Sequence, residues 1–369
     1  MNNLSNKKHK SIFNKIANIL LLIIFVTTNS LLPIYSLPAF AKRTHKAKKN
    51  KSIKNIIKKS NTRIATTEMT AHPMSAYEKA LKAKAIKHKL VLANDPSDSA
   101  ITNCGVLPEP LIPMATALVV GENNALAKAL TSYDNRKNSD DLTALKNFTT
   151  KYPNSRWVAA IDLNLGLQSF NSGYLSDALT YWQSAWDKSA TQTKLPQTRI
   201  SESAISQLLQ LEARLGRTNA IKKQLAQIKN RPMHGSNEAR IFAVKQGLYA
   251  MEHTPQVAYK CGPYAVGTLY LLNHKNLDPR IKQAKSTSNG TNFKQVKDLA
   301  NALGMNYQVA KRENNAPFIV PCIMHWKVGH FAAITKELSP QTADARFVIK
   351  DPTFDSSGTI SALFSLLAT

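Results

Sequence analysis

The 369-residue chain is 43% hydrophobic and 20% charged, a balance that excludes a collagen, a long coiled coil and a many-span membrane protein and leaves room for two domains of ~100–200 residues. It carries 49 Lys and Arg against 23 Asp and Glu, a formal charge of +26. More than half of that excess comes from 14 basic residues between Lys7 and Arg63, ahead of the first acid, Glu68, so the body is only moderately basic.

A basic tail usually points to nucleic acid, but the segment in front of this one argues against it. Lys7 to Lys15 form a positive stretch, Ile16 to Val26 an apolar one, and Ala39-Phe40-Ala41 fits the small-x-small rule for cleavage before Lys42. Thr27, Thr28, Asn29 and Ser30 stop the apolar run short of the ~20 residues a membrane span needs, and Pro33 and Pro38 break any helix. Residues 1–41 are therefore expected to be a cleaved signal peptide, with an uncleaved anchor as the alternative and a periplasmic or secreted protein as the outcome. Residues 42–75 are basic and nearly free of aromatics, which predicts a disordered linker. It either lies on an anionic cell-envelope surface or is a solvated spacer with no partner. No nucleic-acid partner is expected.

From 76 to 252 the sequence predicts an all-α region. Ser75–Leu92 has helical spacing; Asp95–Pro113, with four prolines, reads as a loop. Helices are expected over Ala144–Tyr152, Arg156–Asn171, Leu175–Lys188, Thr198–Leu215, Asn219–Lys229 and Asn237–Glu252. The pair around Gly173 resembles a tetratricopeptide repeat, with Leu165, Gly166, Gly173, Ala178, Trp182 and Ala185 at its small and large positions. A weaker copy is aligned by Gly216, with Leu208, Leu209 and Leu225 as core. The alternative is an ordinary bundle with Trp157, Trp182 and Trp186 as core. Residues 253–369 change texture. Helices are expected over Tyr264–Asn273, opened by Cys261-Gly262-Pro263, and over Asn292–Leu303, stopped by Gly304. Strands follow at Tyr307–Ala310, Phe318–His325, His330–Thr335 and Arg346–Lys350. Helices followed by antiparallel strands give an α+β fold.

The three cysteines, Cys104, Cys261 and Cys322, are too few for a disulfide framework, and an odd number leaves at least one free thiol. A Cys104–Cys322 bridge would leave Cys261 free. Cys261 opens a helix, where orphan N–H groups and the positive dipole end favour thiolate over thiol. Lys260 beside it adds positive charge that would lower the thiol pKa further. Gly262 leaves room for a substrate backbone, and Pro263 is tolerated in a first turn. If the last two strands form a hairpin about residues 336–345, Thr335 faces Arg346 and His330 faces Asp351. Directly opposed side chains lie ~4.5–5.5 Å apart at Cβ, and a carboxylate there would hold the imidazole in the tautomer that deprotonates a thiol. A buried structural cysteine and a structural histidine are the bland alternatives.

Cys261-Gly262-Pro263 with its apolar helix resembles the start of the bacteriocin-processing, double-glycine-leader cysteine peptidases, which are papain-like. The resemblance continues through Gly290-Thr291-Asn292-Phe293, Leu303-Gly304-Met305, Pro321 to Trp326, Gly329-His330-Phe331 and Asp351-Pro352, and covers roughly residues 253–355. It implies Cys261 as nucleophile, His330 as general base and Asp351 as orienting residue, with a Gln upstream of the Cys as oxyanion donor. Gln256 is the candidate, five residues upstream where the family usually has six. The sequence also ends sooner after Asp351 than family members commonly do. No cofactor and no metal are expected. The reading that follows is an exported cysteine endopeptidase cleaving a peptide or protein substrate, after Gly-Gly by family expectation, with helical repeats recruiting substrate or a protein partner. A non-catalytic peptide-binding module on the same fold is the alternative, and an acyl transferase using the same three residues is a third reading.

Overall fold

The computed structural model describes residues 90–313, 316–317, 319–338, 347–351 and 353, all within one unit spanning His88–Thr369. The expected signal peptide, the linker and most of the helix over Ser75–Leu92 lie outside the described residues. The described end of that helix, Leu90 to Leu92, is not helical. No helix among the described residues is long and apolar enough to cross a membrane.

The first part is helical: α1 Asp98–Thr102, α2 Glu122–Asp134, α3 Thr143–Lys151, α4 Val158–Asn171, α5 Leu175–Ser189, α6 Thr198–Arg214, α7 Thr218–Gln227 and α8 Ser236–His253. α1 lies inside the stretch expected to be a loop; Ser97 caps it by accepting from the Ala100 N–H. The centre is α4, apolar nearly all round and buried from Val158 to Gly166, as a helix packed on every side must be. Its approach to α5 depends on Gly166, where any Cβ would overlap the Trp182 ring. Trp182 is buried there, and its indole N–H donates to the Leu163 carbonyl at 3.2 Å. Trp157 and Trp186 are also in this core. α4 and α6 end alike: Gly173 (φ 86°) and Gly216 (φ 72°) adopt the left-handed conformation. In each turn the following residue donates back into the last helical turn, Tyr174 to Ser169 and Arg217 to Glu212. That pattern closes orphan carbonyls and reverses the chain, giving two helical hairpins, α4–α5 and α6–α7.

The second part is α+β: α9 Pro255–Ala258, α10 Cys261–Tyr270, α11 Pro279–Gln283, α12 Phe293–Ala302, then β1 Cys322–Trp326, β2 His330–Glu337 and β3 Phe347–Lys350. α12 starts on a reciprocal cap in which Asn292 accepts from the Gln295 N–H and Gln295 accepts from the Asn292 N–H, each at 2.9 Å. The strands form one antiparallel sheet in the order β1-β2-β3. Ala332, Ile334, Phe347 and Ile349 form one small core; Phe331 joins Ala265 and Val266 of α10 and Val296 and Ala300 of α12 in another.

Two strand expectations are corrected. Tyr307–Ala310 is not a strand. Tyr307 packs on the α10–α12 core, but Val309 is 53% exposed, so the segment lacks the alternation that would seat it in the sheet. The β2–β3 register also differs. Ala333 pairs with Lys350 and Ile334 with Ile349, and a bulge at Thr335 precedes Lys336–Val348 and Glu337–Phe347. Continued past Lys350, this sets Asp351 beside Ala332 and diagonal to His330, two residues from the expected pairing. A long connection leaves register to the apolar side chains. Burying Phe347 and Ile349, at ~1.5–3 kcal/mol each, decides it.

Candidate active site

Cys261 is the first residue of α10, with Lys260 as N-cap residue. The helix starts here because Pro263 supplies a preset φ in the first turn and a run of apolar residues follows, of which Ala265, Val266 and Leu269 are buried. Gly262 is required sterically: a Cβ would collide with Thr291 Oγ1 and lie 2.9 Å from Val296 Cγ2. The loop entering α12 is thereby pressed against the start of α10, beside the cysteine.

His330 is the first residue of β2 and only 2% exposed. Its Nε2–H donates to Asp351 Oδ2 at 2.6 Å, and both side chains are buried. The second Asp351 oxygen, Oδ1, accepts from the Thr353 N–H at 2.9 Å. The carboxylate is therefore held from both sides. His330 is also in hydrogen-bond contact with the Cys261 thiol. Because Nε2 is engaged by Asp351, the nitrogen left for the sulfur is Nδ1. The structure thus brings Cys261, His330 and Asp351 into one line, the third residue reached through the bulge-adjusted register.

Electrostatics follow from this line. Burial pushes the Cys261 thiol up, but the hydrogen bond and charge of His330, joined by the Phe331 and Gly262 N–H groups, outweigh it and hold the thiol below its ordinary value. Burial pulls the His330 imidazolium down, yet its bonds to Asp351 and Cys261 prevail and raise it to about 9. The two shifts favour a thiolate–imidazolium pair over the neutral pair. His325, edge-on to Phe293 and tilted against Phe331, is depressed by burial and then by the neighbouring His330 charge. Cys322 has no such support, and burial alone lifts its thiol to about 11.

Other expectations fare differently. Lys260 does not act on the thiol: it is buried, its ammonium donates to the Lys282 carbonyl at 2.7 Å, and burial lowers its own pKa. All three cysteines are free, so no Cys104–Cys322 bridge forms. Gln256 is exposed on α9, and no hydrogen bond joins it to Cys261, His330 or Asp351. Sequence reasoning missed the Phe331 N–H, whose direction depends on strand pairing, and the Thr353 N–H, which depends on the turn after β3. Among the described residues no cluster of His, Cys, Asp and Glu could hold a metal.

Residues 253–362 match the model of the Peptidase C39 family. No curated protein and no solved structure matches the chain. The matched segment contains every motif from Cys261 to Asp351, and this part of the chain is accordingly similar to the cysteine peptidases of the Peptidase C39 family.

Proposed function

We propose that the protein is an exported, papain-like cysteine endopeptidase in which Cys261 is the nucleophile, His330 the general base and later acid, and Asp351 the orienting carboxylate. The observation that carries this reading is the continuous hydrogen-bonded line from the Cys261 thiol through His330 to the buried Asp351. The thiolate attacks the peptide carbonyl carbon, and the tetrahedral oxyanion is stabilised by N–H groups at the start of α10. The imidazolium gives its proton to the leaving amine. Water, deprotonated by the same imidazole, then hydrolyses the thioester and releases the acid. Cleavage after Gly-Gly in a leader peptide is the specificity that the family suggests. We assign the helical hairpins, as tetratricopeptide-like repeats, to recruitment of substrate or partner. A cleft of about 840 Å³ between them, lined by residues that include Trp186, Leu195, Glu202, Arg231 and His234, offers a surface for this.

A thiol-directed peptidase probe tests the reading. Wild-type protein should be labelled at Cys261 and Cys261→Ala should not; equal labelling of both would remove the nucleophile assignment. A peptide-binding module without turnover is the second reading, favoured by the exposed position of Gln256. Gln256→Ala separates the two roles of that residue. If it is an oxyanion donor, turnover should fall on the order of 10²–10³-fold, and a change within twofold would take it out of the site. Export is tested independently. Ala39-Phe40-Ala41 sets Lys42 as the mature N-terminus, to be read by N-terminal sequencing of protein from the cell envelope or medium. Recovery with residues 1–41 intact on a soluble cytosolic protein would overturn it.

A further inference from the structure

The helical region touches the peptidase domain at the segments that lead into Cys261 and into His330. Tyr259, two residues before the nucleophile, packs against the helical core, and its ring covers Gly216 so closely that a Cβ there would lie 2.6 Å away. Its hydroxyl is hydrogen-bonded to Thr218 at the start of α7. The second contact is the β1–β2 turn. Trp326 pairs with His330, the Gly329 N–H returns to the Trp326 carbonyl at 2.9 Å, and Gly329 has φ 81°. This is the three-residue hairpin loop in which the last residue must be left-handed.

The tip of such a loop is ordinarily polar and solvated. Here it is Val328, 9% exposed and part of the helical core rather than of the sheet's own cores. Trp326 packs against both the helical core and the sheet. Tyr174, from the α4–α5 turn, also packs on the sheet core. The hairpin whose second strand begins with His330 is thus inserted tip-first into the helices.

We propose that Tyr259 and Val328 are positioning residues, through which the helical region sets the separation of the Cys261 thiol and the His330 ring. The helices are then a structural part of the catalytic apparatus, in addition to any recruiting role. This rests on the peptidase reading for its consequence in turnover, but its geometric content stands apart from that reading. A hydrogen bond between two side chains carried by different elements tolerates little displacement; an error of about 1 Å at a reacting pair can cost on the order of 10²-fold.

The test uses the full chain with Val328→Ala and Tyr259→Ala, the conservative Val328→Ile and Tyr259→Phe, and two readouts: iodoacetamide alkylation of Cys261 against pH, and peptide turnover. The alanine variants should raise the alkylation midpoint toward the ~8.5 of a free cysteine and lower turnover on the order of 10²-fold, with far-UV circular dichroism unchanged. Val328→Ile should restore both. If Val328→Ala does not fold, Tyr259→Ala, at the partly buried contact, is read by the same criteria. Folded alanine variants with the wild-type midpoint would overturn the proposal, and so would a loss of turnover with no movement of the midpoint. If wild type shows a depressed midpoint and no turnover, the peptidase reading fails while the midpoint alone still decides the positioning roles.

Discussion

His330→Gln is expected to reduce turnover on the order of 10⁴-fold while leaving the protein folded. The choice of Gln matters. Asp351 is buried and receives the His330 Nε2–H and the Thr353 N–H, so His330→Ala would leave its carboxylate with one donor. Breaking a buried charged pair costs about 3–5 kcal/mol, and loss of activity would then be indistinguishable from unfolding. A Gln amide can still donate to Asp351, but it cannot take a proton from sulfur or pass one to a leaving amine. Turnover should fall with the melting temperature nearly unchanged, and Cys261 alkylation should slow because the thiolate has lost its imidazolium. Full turnover in a folded His330→Gln protein would remove His330 from the chemistry and leave the binding-module reading.

The second large effect is in the pH profile. The competent form is the thiolate–imidazolium pair, so activity requires a pH above the thiol's titration and below the imidazolium's. The thiol is held below its ordinary value, and the imidazolium is raised to about 9. The profile of kcat/KM should therefore be a bell that rises below the ordinary thiol range and falls through about pH 9; the two limbs belong to the coupled pair rather than to single residues. The sign for Asp351→Asn follows. Burial alone pulls His330 down, and the Asp351 bond and charge are what oppose it. Removing that charge should move the alkaline limb down by about 1–3 pH units and narrow the bell from the alkaline side. An alkaline limb unchanged in Asp351→Asn would mean that Asp351 does not hold the imidazolium. Turnover at the optimum should fall less than in His330→Gln, because the thiol and the imidazole are both still present and can pair in part.

Much of the site was legible in the chain itself. Cys261-Gly262-Pro263 ahead of an apolar run states a helix start, and a helix start is what a cysteine needs to ionise. Asn292 with Gln295 and Gly304 bound α12, and both ends formed as local chemistry dictates. Gly173 and Gly216 marked two chain reversals, and both close with the same hydrogen bonds. These are short-range events, settled within a few residues by caps, turns and apolar spacing.

What failed to show in the sequence was set by partners distant along the chain. Counting across a symmetric loop brought His330 and Asp351 together, yet they meet diagonally, past a bulge at Thr335. The offset of two residues preserved the face because side chains alternate with period two, so the pair survived a mistaken register. Lys260 reads as a positive neighbour of the nucleophile, but proximity along the chain says nothing about where a long side chain finds an acceptor, and it finds the Lys282 carbonyl. Val328 reads as one apolar residue in a turn, and only packing against the core of the preceding helical region explains it. The sequence by itself determined which residues could do thiol chemistry and where their helices and strands begin. Tertiary structure alone decided their separation, their protonation balance and the burial of the loop before His330, because each depends on contacts between segments whose relative placement no local pattern encodes.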